Sequence, residues 1–170
     1  MDINFNHARY KAYEAAEWQQ IYFDLKTGGF VVLNHKHGKY EAKDNLRTAL
    51  RLAKQGKTVE LLPAYNTMLS ADAFIDDDIW ELKMPNGSRS SIQNRLRKGK
   101  KQAGNTLLAI QNNDFEWSDI ISSMMSCVNT DTKNYLQKIG LLLPDDTYIE
   151  LTREDIKKRN FQNITDYLEK

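Results

Sequence analysis

The stretch ADAFIDDDIWELKM, residues 71–84, decides how the rest of the chain is read. Two β-prone runs, Ala71 to Ile75 and Ile79 to Met84, flank Asp76-Asp77-Asp78, and a hairpin is the expected result. Side chains alternate across a strand, so Glu81 and Lys83 share one face while Trp80 and Leu82 take the other. In such a hairpin Asp72 lies on the neighbouring strand, where its carboxylate can meet that of Glu81. Two carboxylates converging on one point repel unless a cation sits between them. A hard divalent ion, Mg²⁺ or Mn²⁺ with Zn²⁺ as a further candidate, suits such oxygen ligands and accepts a phosphate oxygen beside them. The backbone carbonyl of Leu82, between Glu81 and Lys83, is placed to complete the ligand set. Lys83 can position or deprotonate a water and offset charge on a pentavalent phosphate. An E-x-K tripeptide alone carries little, because Glu and Lys alternate on the exposed face of many strands. Asp72 and the flanking elements give it weight.

Working outward, Tyr40 to Gln55 follows helical periodicity through Leu46, Ala49, Leu50 and Ala53, with Gly56 where a C-cap belongs. Thr58 to Leu62 reads as a strand ended by Pro63, and residues 64–70 as loop. Downstream, Ser90 to Gln102 reads as a basic helix and Thr106 to Ile110 as an apolar strand. The run 89–101 holds Arg89, Arg95, Arg97, Lys98, Lys100 and Lys101 without one acid. Solvated helix faces usually mix both signs, so this one is expected to contact phosphates. Gln93, one turn into the helix, is a candidate for the scissile phosphate or its water. His35 and His37, with Lys36 and Lys39, form a basic loop expected to touch nucleic acid. Two histidines without further partners make a poor metal site. The Asp76–Asp78 run reads as a solvated turn rather than a cation site.

The remaining segments are less specific. Tyr10 to Gln20 reads as a short helix, and Ile21 to Phe23 with Phe30 to Leu33 as a hairpin turning at Gly28-Gly29. Ser118 to Val128 reads as a helix, Leu141 to Leu143 and Tyr148 to Leu151 as a closing hairpin. Thr152 and Asp155 have the spacing of a helix start. Trp80, Trp117 and Tyr148 are expected in the core; Tyr40 and Tyr65 stay open between core and base stacking.

Asp72 followed by Glu81-Leu82-Lys83 resembles the D…(D/E)-x-K motif of the PD-(D/E)xK nucleases. The upstream helix and downstream strand–helix–strand order resemble their αβββαβ core. Ala71 stands where that superfamily usually has proline, a departure it commonly tolerates. The superfamily often adds a glutamate from the first core helix, which the resemblance places at Glu41, ahead of Asp44. Gly56 to Pro63, Ala71 to Ile75, Trp80 to Lys83 and Ser91 to Ala103 together resemble the C-terminal nuclease domain of contact-dependent growth-inhibition toxins. Related modules sit on phage and mobile-element proteins. The likeness spans about residues 22–110. It implies an α/β fold, a mixed sheet flanked by helices, in a single domain over residues 1–170. The core is expected at 40–110, an N-terminal helix and hairpin at 1–39 and an accessory α/β segment at 111–170. It also implies a metal-dependent endonuclease, a toxin-type effector that acts on RNA (tRNA) ahead of DNA in the bacterial cytoplasm. Such a module is delivered as the C-terminal part of a larger secreted or phage-encoded protein and is met by a cognate immunity protein. Two alternatives stay open: an inactive nuclease-fold binding module of a phage or mobile element, and an interaction domain whose basic helix binds an acidic protein.

Composition bounds these readings. A chain of 170 residues with 41% hydrophobic and 28% charged residues can bury a core and solvate its surface. The net charge of +1 excludes a polycation, so any nucleic-acid site must come from local segregation of charge. Cys127 is the one cysteine, which excludes an intrachain disulfide or a multi-thiolate zinc site and predicts a buried thiol. No apolar run is long enough to span a bilayer, no signal-peptide pattern opens the chain, and no P-loop or nucleophile elbow is present.

Overall fold

The structure is a computed structural model of the chain and describes residues 2–14, 17–64 and 71–169. Two compact units divide it, Met1–Trp80 and Glu81–Lys170.

In the first unit, α1 (Ile3–Ala12) starts at Asp2, whose carboxylate accepts the Asn4 backbone N–H at 2.9 Å. Such a cap satisfies donors that the first helical turn leaves without partners. β1 (Trp18–Phe23) and β2 (Phe30–Asn34) pair antiparallel, with Trp18 opposite Asn34 and Phe23 opposite Phe30. The expected helix over Tyr10 to Gln20 is therefore corrected. The helix starts earlier at its Asp2 cap, and Trp18, Gln19 and Gln20 join the ladder, where cross-strand pairing outweighs their local helical preference. Residues 15 and 16 of that expectation lie outside the described residues. Asp24 makes the hairpin turn by accepting the N–H of Lys26 at 2.8 Å and of Thr27 at 3.1 Å. Gly28 follows at φ +74°, open to glycine at little cost.

From β2 the chain crosses through α2 (Ala42–Ala53) into β3 (Thr58–Leu61), parallel to β2 with Val31 opposite Val59. A parallel pair needs such a crossover, and α2 supplies it with Ala49, Leu52 and Ala53 fully buried. β4 (Ala73–Ile75) pairs antiparallel with β3, and β5 (Asp78–Lys83) antiparallel with β4. The loop expected over 64–70, Tyr65 included, falls outside the described residues from 65 onward.

The second unit opens with the end of β5. α3 (Arg89–Gly99) is capped by Ser88, whose Oγ accepts the Ser91 N–H, and buries Ile92, Leu96 and Gly99. A Cβ on Gly99 would lie 2.5 Å from Thr106 Oγ1, so only glycine permits this approach of helix to strand. β6 (Asn105–Ala109) passes through α4 (Trp117–Asn129) into β7 (Lys138–Leu142), parallel to β6, and β8 (Tyr148–Thr152) returns antiparallel. Ile92 and Leu96 pack with Leu108, Ile120, Met124, Ile139 and Leu141, and truncating such a leucine to alanine costs about 2–5 kcal/mol. Thr152 and Asp155 form the anticipated capping box on α5 (Arg153–Lys158); α6 (Gln162–Leu168), without a side-chain cap, was not anticipated.

From α2 to β6 the order is αβββαβ, as the sequence led us to expect. Trp80 is buried as expected, Tyr148 only half-buried, and Tyr40 fully exposed. Among the described residues no helix is long and apolar enough to cross a membrane.

Candidate active site

The β4–β5 hairpin sets the geometry. Ala73 pairs with Trp80, Phe74 with Ile79 and Ile75 with Asp78. The turn is Asp76-Asp77, with φ of 47° and 71°, the positive pair that a two-residue type I′ turn requires. Asp78 thus belongs to the strand, and the three-aspartate turn shrinks to two residues. Nor is the turn simply solvated. Asp76 accepts the Lys57 ammonium at 2.8 Å and the Thr58 N–H at 2.9 Å, while Asp77 pairs with Arg9.

Asp72 extends β4 by one residue, its N–H donating to the Trp80 carbonyl at 3.1 Å. Alternation gives Asp72 the side of Phe74, and Phe74 pairs with Ile79. Along β5 that side passes from Ile79 to Glu81 and Lys83, while Trp80 and Leu82 fill the other. Asp72 is 8%, Glu81 0% and Lys83 8% exposed. Carboxylates are seldom buried without a compensating charge, and here the Lys83 ammonium donates to Glu81 Oε1. The spacing read from the sequence as one strand face is thus a buried ion pair.

Glu41 stands exposed at the start of α2 and its side chain makes no capping bond there. Among the described residues no group of three or more His, Cys, Asp or Glu is arranged to hold a metal ion. The oxygen donors expected from the sequence are the carboxylates of Asp72 and Glu81, both buried, and the main-chain carbonyl of Leu82. Hard oxygens of this kind fit Mg²⁺ or Mn²⁺, which keep several waters, better than Zn²⁺, which favours nitrogen and sulfur.

Glu60 is the buried carboxylate that sequence reasoning passed over. It is 6% exposed on β3 and pairs with Phe74 in register. Arg9 of α1 reaches over it, bonding to both Glu60 and Asp77 and lying 5.7 Å from the Phe30 ring centroid. Burial pulls the Arg9 guanidinium down, but hydrogen bonds to Asp77 and Glu60 outweigh it and leave the group above its ordinary value. Burial, then the hydrogen bond to Glu60, push the neighbouring Tyr13 hydroxyl up to about 12. A lone charge within Thr58-Val59-Glu60-Leu61-Leu62 was the signal available.

The basic loop divides in two. His35 is exposed, but His37 is 8% exposed, against the expectation of a nucleic-acid contact for both. His37 Nδ1–H donates to the Leu62 carbonyl at 2.6 Å and Nε2 accepts from Asn45 Nδ2 at 3.1 Å, so the ring ties the loop to β3 and α2. On α3, Arg89, Arg95, Arg97 and Lys98 are exposed and Gln93 is half-buried, an arrangement that a phosphate-contacting helix and a solvated face share. Lys101, past the helix end, is exposed as well, whereas Lys100 turns inward, 3.6 Å from Asp131. Cys127 is the buried thiol expected, and burial pushes it above its ordinary value.

Residues 69–143 match the family model of the contact-dependent growth inhibition CdiA C-terminal domain. The matched stretch runs from β4 to β7 and carries Asp72, Glu81, Lys83 and α3. No curated protein matches the chain in sequence. Among solved structures, a chain of the CdiA-CT/CdiI toxin and immunity complex from Burkholderia pseudomallei is similar, with a TM-score of 0.51 and 14% identity over 71% of this chain and 98% of that one. At that identity the likeness is one of fold.

Proposed function

We propose that the protein is a toxin-type effector that hydrolyses phosphodiester bonds in nucleic acid with a divalent metal ion, RNA (tRNA) ahead of DNA. The observation that carries this reading is the buried Glu81–Lys83 pair on β5, one strand on from Asp72, inside the stretch that the CdiA C-terminal family model matches. A lysine and two carboxylates buried at a strand end have no value to a merely solvated sheet face.

Asp72 and Glu81 would hold the cation, with the Leu82 carbonyl beside them and Glu41 contributing directly or through water. A bound Mg²⁺ or Mn²⁺ supplies positive charge to the phosphoryl oxygens. Lys83 orients the attacking water and offers its ammonium to the charge developing on phosphate. Arg89, Arg95, Arg97 and Lys98 on α3 grip the backbone, and Gln93 contacts the phosphate to be cut. His35, exposed on its own loop, offers a further contact to nucleic acid. The solved complex pairs a toxin with an immunity protein, which supports an immunity partner for this chain; an acidic one would be drawn to the basic helix. The family name supports delivery as the C-terminal part of a larger secreted protein; action on RNA would then take place in the bacterial cytoplasm.

Purified protein incubated with total RNA and plasmid DNA, in Mg²⁺, Mn²⁺, Zn²⁺ or EDTA, tests the reading. Cleavage of RNA in Mg²⁺ or Mn²⁺ that EDTA abolishes is the expected result. Cleavage of plasmid alone moves the substrate to DNA, and no cleavage with any metal overturns the proposal.

A further inference from the structure

The second unit contains a cavity whose lining includes Gln93 and Arg97 of the proposed phosphate grip and extends beyond them. It lies between α3 and α4 with a volume of about 500 Å³, within the range of small-molecule sites. Arg97, Lys100 and Lys101 line one side, Ser123, Ser126 and Thr130 the other. Among the described residues no carboxylate lines it.

The cations differ in how they are held. Arg97 donates to the neutral Asn94 side chain at 2.9 Å. Lys100 lies 3.6 Å from Asp131 and 3.5 Å from the Cys127 carbonyl, and Asp131 is held more closely by Arg153 at 2.7 Å. Basic residues in a last helical turn have an ordinary role opposite the helix dipole, and Arg97 and Lys98 of α3 fit it. That role does not explain the opposite wall.

Ser123 on α4 points to a ligand independently of the cations. It is 0% exposed, lines the cavity, and its Oγ has no hydrogen-bond partner. Helical hydroxyls usually bond back to the carbonyl one turn earlier, as Thr130 does to Ser126 at 2.8 Å. For Ser123 that carbonyl belongs to Asp119, and it accepts Ser122 instead, at 3.2 Å. A buried hydroxyl left in this way costs about 1–3 kcal/mol, and a turn of its χ1 toward the cavity would let a ligand recover it.

We propose that the α3–α4 cavity binds a phosphate group carried by a nucleotide-sized ligand, with Arg97, Lys100 and Lys101 supplying charge and Ser123 Oγ a hydrogen bond. A free nucleotide and a nucleotide unit of a strand present the same phosphate. The hydrolytic reading is not needed for this, so binding is measured in EDTA, where cleavage does not intervene.

The test titrates inorganic phosphate, adenosine monophosphate, a short RNA oligonucleotide and a polyglutamate peptide into the whole chain, followed by calorimetry. The same titrations are run on Arg97→Gln/Lys101→Gln and on Ser123→Ala, with thermal unfolding recorded for each. The charge variant, altered only at exposed positions, is expected to fold and to bind nucleotide or strand about tenfold more weakly. Ser123→Ala is expected to weaken the same ligand several-fold while its melting temperature holds or rises. Binding by the mononucleotide identifies a free nucleotide as ligand, and binding by the oligonucleotide alone identifies a strand. Equal affinity in all three proteins overturns the proposal. So does polyglutamate binding lost in the charge variant with no nucleotide or strand bound, which would make the cavity a protein-docking site. A fall in Ser123→Ala melting temperature with unchanged affinity overturns the role of Ser123.

Discussion

Glu81 and Asp72 differ in what their substitution should report. Glu81→Gln keeps the shape but removes one charge that favours a divalent ion, and Asp72→Asn does the same from β4. Calorimetric titration with Mn²⁺ should show affinity weakened markedly in both; unchanged affinity in both would exclude them as ligands. Asp131 offers a residue-scale test of stability instead. Its carboxylate is buried between Arg153 and Lys100 and accepts the Leu136 N–H at 2.9 Å. Burial pushes its carboxyl up, but the Leu136 N–H, Arg153 and Lys100 together hold it below the ordinary range. A depressed value in the folded state contributes stability that is present above the unfolded value and lost as pH falls through the folded one. Asp131→Asn should therefore cost about 3 kcal/mol at neutral pH, with the gap to wild type closing below about pH 4. Urea midpoints across that range measure it, and a gap independent of pH would refute the electrostatic account.

At the scale of elements, α3 separates grip from catalysis. Arg89, Arg95 and Lys98 are exposed and do not line the α3–α4 cavity. Replacing all three with Gln should weaken binding to every sequence alike and flatten the slope of log affinity against log salt by about 0.7–0.9 per lost phosphate contact. An unchanged slope would mean that the helix faces elsewhere. The elements easiest to read were those whose local signals agree with their packing. The periodicity of Leu46, Ala49, Leu50 and Ala53 marks α2, and Thr152 with Asp155 announces α5. Those missed were decided at a distance. Trp18 to Gln20 look helical locally and become strand because β2 lies alongside. Glu60 reads as one odd charge in an apolar strand, because its partner Arg9 is 51 residues away. His37 looked like half of a surface pair until the Leu62 carbonyl and Asn45 are seen to occupy its ring.

For the molecule as a whole, the formal charge of +1 conceals a basic α3 answered by acids elsewhere, and a period of two along β5 puts Glu81 and Lys83 on one face from the sequence alone. Their spacing gave no hint that both are buried or already bonded to one another, since burial depends on what packs above the strand. That burial alters what a lysine substitution should do. Removing one member of a buried pair leaves the other charge uncompensated, so loss of Lys83 should cost stability as well as turnover. Lys83→Met keeps most of the stem and makes the cleaner probe. The measurement closest to the central claim is single-turnover cleavage of RNA in Mn²⁺ by wild type and Lys83→Met, each confirmed folded at the assay temperature. A lysine that acts on the attacking water and the transition-state charge contributes about 10²–10⁴-fold, so the variant should cleave at least about 100-fold more slowly with substrate affinity little changed. Cleavage by Lys83→Met at the wild-type rate would contradict the account.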